Sequence, residues 1–278
     1  MCALISMAVF STEENKKDEC LAKTLKSLDE TVNFKKHRLM LSVNGATEVT
    51  KRIIHNNRDI ISKVFWNDEN LGTAEAINLC WKLRKEGEHC VKMDDDVVIH
   101  QEGWLDLMEE SIRRDKNIGI IGLKRKDCWE KTTNPNPDYK SELIQLPQVP
   151  GERWLVVEKA KHIIGTCQAY NSELLDKMGY LFQYGQYGYD DVLASWRSSL
   201  LGFKNVFLFQ VEIDHIDEGN TSYQGWKERK SGEQTQNVIN LVNEYIADTH
   251  NANLINDEKK EVTPFSQRLT YYNPFIEK

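Results

Sequence analysis

Three consecutive carboxylates, Asp94, Asp95 and Asp96, stand in the stretch EHCVKMDDDVVIH, residues 88–100. Neighbouring carboxylates repel one another, and apolar residues on both sides (Val91 and Met93 before, Val97, Val98 and Ile99 after) place them near a core, so a compensating positive charge is expected. A hard divalent cation, Mg²⁺ or Mn²⁺, suits carboxylate oxygens and can in turn take the oxygens of a diphosphate. The alternative is that the aspartates cap a helix beginning near Gln101 and are solvated. A second acidic pair, Asp190 and Asp191, comes just before a segment in which Val192, Trp196 and Leu200, with Leu193, form an amphipathic stripe. The pair therefore stands at a helix N-terminus, where a cap and a first-turn acid are common roles.

The elements that must hold these acids show in the hydrophobic pattern. Apolar runs at 3–10, 38–43, 61–66, 90–93 and 118–123 alternate with segments of helical spacing. In one of these, TAEAINLCWKLRKEG, Ala76, Leu79, Cys80 and Leu83 fall on one face and Gly87 is the expected terminator. Strands alternating with helices predict an α/β fold, a mostly parallel sheet flanked by helices on both faces. Such a sheet binds ligands beyond the carboxyl ends of its strands, and the acidic triplet directly follows the strand at 90–93. Further on, HIIGTCQAYNSELLDKMGYL predicts a strand and a short helix capped by Ser172, with Glu173 in its first turn. Residues 124–160 carry four of the six prolines and little periodicity, which predicts an excursion over the active edge. The expected organisation is one domain over 1–216 and a C-terminal helical extension, 217–278, packed on it, with one good helix in EQTQNVINLVNEYIADT.

Composition bounds the setting. The chain has 278 residues, 40% of them hydrophobic and 28% charged, and no uninterrupted apolar run approaches the ~20 residues of a membrane span. The opening MCALISMAVFSTEE lacks a basic leader and reads as a first buried strand. Six scattered cysteines without a CxxC pair fit a reducing, cytoplasmic setting, and a peripheral approach to a membrane is left open. A net charge of −7 argues against non-specific nucleic-acid binding. Lys124, Arg125 and Lys126 form the compact basic cluster, either a contact for an anionic acceptor or, the favoured reading, a solvated loop.

Several motifs in fixed order resemble the GT-A glycosyltransferases, especially family 2. NLGTAEAIN supplies Asn70, Gly72, Ala76 and Asn78 of the N-x-G-x-x-x-A-x-N block, and VKMDDDVVI supplies Asp94 and Asp96 as the ends of a D-x-D motif around Asp95. DDVLASWRSSLLG then supplies Asp190, Asp191, Arg197 and Gly202 at the family's spacing, and VEIDHID offers His215 after the last core strand. The resemblance covers about residues 3–216. Ile77 stands where relatives often have Arg, Asp190 where Glu is common, and Asn44 where an Asp often reads the nucleotide base. Base preference is thereby left open, because an amide both donates and accepts hydrogen bonds.

The resemblance implies a nucleoside-diphosphate sugar donor, a UDP-sugar being favoured, with its base near Ser11, Thr12 and Asn44. It implies donor contacts from Asn70, Gly72, Asn78, Asp94 and Asp95, and Mn²⁺ or Mg²⁺ held by Asp94, Asp96 and His215. Asp191 is the implied general base toward an acceptor hydroxyl, with inversion of configuration, and Asp190 orients the acceptor. Tyr184, Tyr187, Tyr189, Trp129 and Trp154 are candidates for stacking on sugar rings or for anchoring loops. GNTSYQGW after His215 is placed to fold over the donor. The acceptor (a glycan, a lipid-linked sugar, a protein or a modified nucleobase) is undecided. Two rival readings stand beside this one: a sugar nucleotidyltransferase, against which the glycine-free SMAVFSTEENKK speaks, and a non-catalytic nucleotide-sugar or carbohydrate-binding module.

Overall fold

The first strand shows why the sheet has two covered faces. In β1 (Ala3–Phe10), Ala3, Ile5, Met7 and Val9 point into one apolar layer and Leu4 into the other, following the two-residue period of a strand. The structure is a computed structural model that describes residues 2–127, 142–217 and 221–255. Cys128, Trp129 and the rest of 128–141, and the tail beyond 255, lie outside the described residues.

After β1 come α1 (Asp18–Thr31), β2 (Arg38–Gly45), α2 (Glu48–Asn56), β3 (Ile61–Trp66), α3 (Thr73–Trp81), β4 (His89–Met93), β5 (Val97–Ile99), α4 (Trp104–Arg114) and β6 (Ile118–Arg125). The second half holds β7 (Glu142–Gln145), β8 (Val156–Ala160), β9 (Cys167–Tyr170), α5 (Ser172–Met178), α6 (Asp190–Leu200), β10 (Lys204–His215) and α7 (Thr221–Ile255). The strands lie in the order β3-β2-β1-β4-β9-β6-β10-β8-β7, with β5 pairing to β10. β3, β2, β1, β4, β6 and β10 run in one direction, and β9 is the reversed strand wedged between β4 and β6. The carboxyl ends of β1, β2, β4 and β10 therefore open on one edge. One layer packs Leu21, Leu25 and Leu28 of α1 and Trp104, Met108 and Ile112 of α4 against the sheet. The other packs Ile77 and Trp81 of α3, Leu174 and Met178 of α5 and Ala194 of α6.

The strands expected at 3–10, 38–43, 61–66, 90–93 and 118–123 are present. Other expectations need correction. α3 stops at Trp81, so Leu83 is 40% exposed rather than on the buried face, and Gly87 turns the chain later, at φ +69°. The cap of α5 is Asn171, whose side chain accepts from the Glu173 N–H; Ser172 is already inside the helix. The buried face of α6 runs through Leu193, Ala194, Arg197 and Ser198, one step round from the expected stripe. Part of the excursion at 124–160 is ordered sheet, since β7 and β8 pair antiparallel and β8 joins β10. Lys124 is no solvated loop residue: it is 7% exposed and ion-paired with Glu158, while Arg125 pairs with Asp127 and Lys126 with Asp214. The helix in the tail extends over 35 residues.

Gly72, the N-cap of α3, has φ +80°, and a Cβ there would come within 2.7 Å of the Gln186 backbone. Backbone cannot yield as a flexible side chain can, so Gly72→Ala is expected to lower stability by about 2–3 kcal/mol, read as a lower midpoint in urea at unchanged slope.

Candidate active site

A cleft of about 920 Å³ opens at the carboxyl edge of the sheet, lined among others by Asp94, Asp96, Asp190, Asp191, His215 and Trp226. β4 delivers the acidic triplet, α6 the acidic pair, β10 ends on His215, and the first turns of α7 bring Trp226 and Lys227 over the opening. Trp226 lies 6.3 Å from the ring of Phe10 and 6.0 Å from that of Tyr187.

The three aspartates do not converge on a common point; each has its own compensation. Asp96 Oδ2 lies 2.6 Å from the Lys17 ammonium, which also sits 2.6 Å from Asp217. Asp95 Oδ2 accepts the Phe10 N–H at 3.3 Å, and its carbonyl accepts the Thr24 hydroxyl. Asp94, whose side chain keeps 36% of its surface open, faces Lys92 at 3.6 Å. No helix is capped by the triplet, because β5 begins at Val97 and the N-cap of α4 is Gly103. Burial pushes the Asp94 carboxyl up to about 6 and the Asp95 carboxyl up to about 7, in each case with help from Asp96. Burial also acts upward on Asp96, but the neighbouring His215 imidazole and the Lys17 ammonium outweigh it and hold this carboxyl below its usual value.

Asp96 Oδ1 is buried without a hydrogen-bond partner, and His215 Nε2 stands 3.4 Å from it. An orphaned carboxylate oxygen beside an imidazole nitrogen, both at the cleft, is a donor set that fits a divalent ion such as Mn²⁺. Asp94 does not complete a tight triad with them. Among the described residues the group of three whose ligand atoms close to within 4.8 Å is His37, Asp106 and Glu109, on another part of the surface, where Lys36 already bridges the two acids.

Tyr189 caps α6 in the left-handed region, at φ +66°, and this turn sets Asp190 and Asp191 at the cleft wall. Asp190 is 7% exposed and pairs with Lys92 at 3.0 Å. Asp191 Oδ2 accepts the Gly165 N–H at 2.8 Å and lies 3.1 Å from His162 Nε2. Burial would raise the Asp191 carboxyl, but the His162 hydrogen bond, Lys92 and the Gly165 amide more than offset it, so the group is held ionised below its usual range.

Of the other residues singled out in the sequence, Asn44, Asn70 and Gly72 line the cleft. The Asn44 amide is engaged by the Gly72 carbonyl, Asn67 and the Leu71 N–H, and Asn70 accepts the Gly72 N–H. Ser11, Thr12 and Asn78 are not among the lining residues. Ser11 donates to Asp18, Thr12 closes a turn with Asn15, and Asn78 exchanges two 2.9 Å bonds with the Leu181 backbone. Arg197 donates to the carbonyls of Tyr180 and Met178, joining α6 to the end of α5. Tyr187 and Tyr189 line the cleft; Tyr189 donates to or accepts from Thr235 of α7, and Trp154 is 64% exposed and not among the lining residues. Sequence reasoning missed Lys17, Lys92 and His162. Lys92 had a signal, a cation two residues before Asp94 on the same strand, whereas nothing local marks Lys17 or His162.

The family model for glycosyl transferase family 2 matches residues 13–179. No curated protein matches the chain in sequence. Among solved structures the chain is similar to the mannosyltransferase PcManGT from Pyrobaculum calidifontis in complex with GDP-Man and Mn²⁺, with TM-score 0.57 and 15% identity over 80% of this chain and 59% of that one. It is similar also to GalNAc-T7 with UDP, GalNAc and Mn²⁺, with TM-score 0.56 and 15% identity over 76% of this chain and 42% of that one. A third is S. aureus TarS 1-349 in complex with UDP-GlcNAc, with TM-score 0.54 and 14% identity over 80% and 62% of the two chains. The chain thus spans between 42% and 62% of the length of these structures, and the likeness shows the GT-A fold. A family model that accounts for more than half of the residues, on a sheet of this layout, places the chain in glycosyl transferase family 2.

Proposed function

We propose that the chain transfers a hexosyl group from a nucleoside-diphosphate sugar to an acceptor hydroxyl with inversion, Asp191 acting as the base. The observation that carries this reading is a half-buried carboxylate at the start of α6, held by the Gly165 N–H at 2.8 Å, in the same cleft as the orphaned Asp96 oxygen and His215. The bond from the anomeric carbon to the diphosphate breaks as the acceptor oxygen attacks from the opposite face, and Asp191 takes the acceptor proton. A carboxylate held below its usual pKa is a weak base for a hydroxyl, so proton transfer runs late, together with departure of the diphosphate. Asp96 and His215 would hold the divalent ion, which supplies Lewis-acid stabilisation of the leaving diphosphate. Asp190 faces the same wall and orients the acceptor. The Phe10, Tyr187 and Trp226 rings offer flat apolar surface for a base or sugar ring, and Lys227 adds positive charge from α7.

The neighbours were solved with GDP-Man, with UDP and with UDP-GlcNAc, which supports a nucleotide-sugar donor; a UDP-sugar is the favoured one. Calorimetric titration of UDP, GDP, TDP and CDP with and without Mn²⁺ tests the reading. Metal-dependent binding of one nucleotide, weakened at least tenfold in Asp96→Ala, is the expected result. Absence of binding by all four under both conditions overturns it.

A further inference from the structure

The deepest cation of the cleft is Lys92, and the transfer mechanism above gives it no part. Its side chain is 4% exposed, on the strand that ends in the acidic triplet. Burying an ammonium is costly unless it is paired and hydrogen-bonded, and this one is both. Nζ donates to the Gly165 carbonyl at 2.8 Å, pairs with Asp190 at 3.0 Å and faces Asp94 at 3.6 Å. The same Gly165 residue uses its N–H, at 2.8 Å, to hold Asp191 Oδ2. One ammonium thus touches the donor-side acid and the acceptor-side acid directly, and reaches Asp191 through a single residue.

We propose that Lys92 is a positioning residue of the transfer reaction, fixing Asp190 and, through Gly165, Asp191 relative to the carboxylates at the end of β4. This rests on the transferase reading above. The two halves of the site come from elements far apart in the chain, β4 and α6, so their spacing depends on such a link. A misplaced base loses rate far more than it loses donor affinity, because donor contacts are made on the other side of the link.

Gly165 supplies a variant that shifts the link without removing a charge. A Cβ at this position would stand 2.6 Å from Lys92 Nζ and 3.2 Å from Asp191 Oδ2, and its backbone is not in the left-handed region, so alanine is tolerated conformationally. The Lys92 ammonium itself can move, so Gly165→Ala is expected to fold. It should lower kcat tenfold or more while the affinity for the nucleotide with Mn²⁺ stays within fivefold. Lys92→Ala should lose at least 100-fold in kcat with the same small change in affinity, and recover at least tenfold on addition of ethylammonium or propylammonium, which a lysine serving only to hold the fold would not show. Turnover is read as nucleoside diphosphate released from a panel of UDP- and GDP-sugars, and folding by melting temperature.

Turnover within threefold of wild type in both variants, or affinity lost in step with turnover, overturns the proposal. If wild type releases nucleotide from no sugar nucleotide, the transferase reading itself fails. Lys92→Met, Asp190→Asn and their double variant then decide the link by melting temperature: a double variant as stable as or more stable than Lys92→Met supports it, and additive losses overturn it.

Discussion

Asp191→Asn is expected to lower the transfer rate about 10³-fold, or about 4 kcal/mol, while nucleotide binding and the fold survive. An amide is nearly isosteric with the carboxylate, and its oxygen can still accept the Gly165 N–H that now meets Asp191 at 2.8 Å. Its NH₂ then faces the imidazole of His162, whose Nε2 now lies 3.1 Å from Asp191. What the amide cannot do is take a proton. Some helix-terminal stabilisation is lost with the charge, about 0.3–1 kcal/mol, which is small beside the catalytic effect. Lys92 keeps Asp190 and Asp94 as counter-charges, so no buried cation is stranded. The pH profile makes a second check. Asp191 is held below the ordinary carboxylate value near ~3.9, so it stays ionised as pH falls from neutrality, and its titration should leave no acid limb in kcat/KM above about pH 5. Single-turnover rates, nucleotide affinity and melting temperature on one preparation decide it. A variant with wild-type turnover removes Asp191 from the chemistry.

How far the sequence carried the site depends on whether a residue's partner is near in the chain. The five apolar runs announced their strands because all but the edge strand β3 are buried along nearly their whole length and read as continuous apolar stretches, and the carboxyl ends of those strands located the triplet. Asp190 and Asp191 were legible as the start of a helix because the apolar residues that follow them repeat at helical spacing. β7 and β8 were not legible. They are short, mostly exposed on one side and separated by proline-containing chain, so their only strong signal is the pairing itself. The compensating charge was expected from the repulsion among three adjacent acids, but the chemistry of its source was not. Lys17 reaches Asp96 across 79 positions of sequence, and Lys92 reaches Asp190 across 98, and no local pattern records a contact of that kind. The roles given to Ser11, Thr12 and Asn78 rested on the family resemblance. Each of those side chains is engaged within its own turn or with a neighbouring loop.

Lys17→Met should be the most destabilising single change in the cleft, costing about 3–5 kcal/mol. The ammonium is 4% exposed and lies between Asp96 and Asp217, 2.6 Å from each, with Asp95 also acting on it. Burial alone would pull its pKa down, yet the acids outweigh burial and keep the lysine charged. Methionine preserves length and packing, so the change isolates the charge. Removing it takes away the ammonium that separates the buried Asp96 from the half-buried Asp217, while Lys227 stays 3.0 Å from Asp217. The stranded charge also makes the variant responsive to metal. If Asp96 and His215 hold a divalent ion, millimolar Mn²⁺ should raise the melting temperature of Lys17→Met by more than it raises that of the wild type, because the ion then neutralises an acid that has lost its lysine. Lys17→Met/Asp96→Asn should recover much of the lost stability and lose the response to Mn²⁺, since one carboxylate has gone together with its counter-charge. Equal shifts with Mn²⁺ in the single variant and the wild type would remove Asp96 as the holder of the ion. A melting temperature unchanged by Lys17→Met would remove the lysine bridge itself.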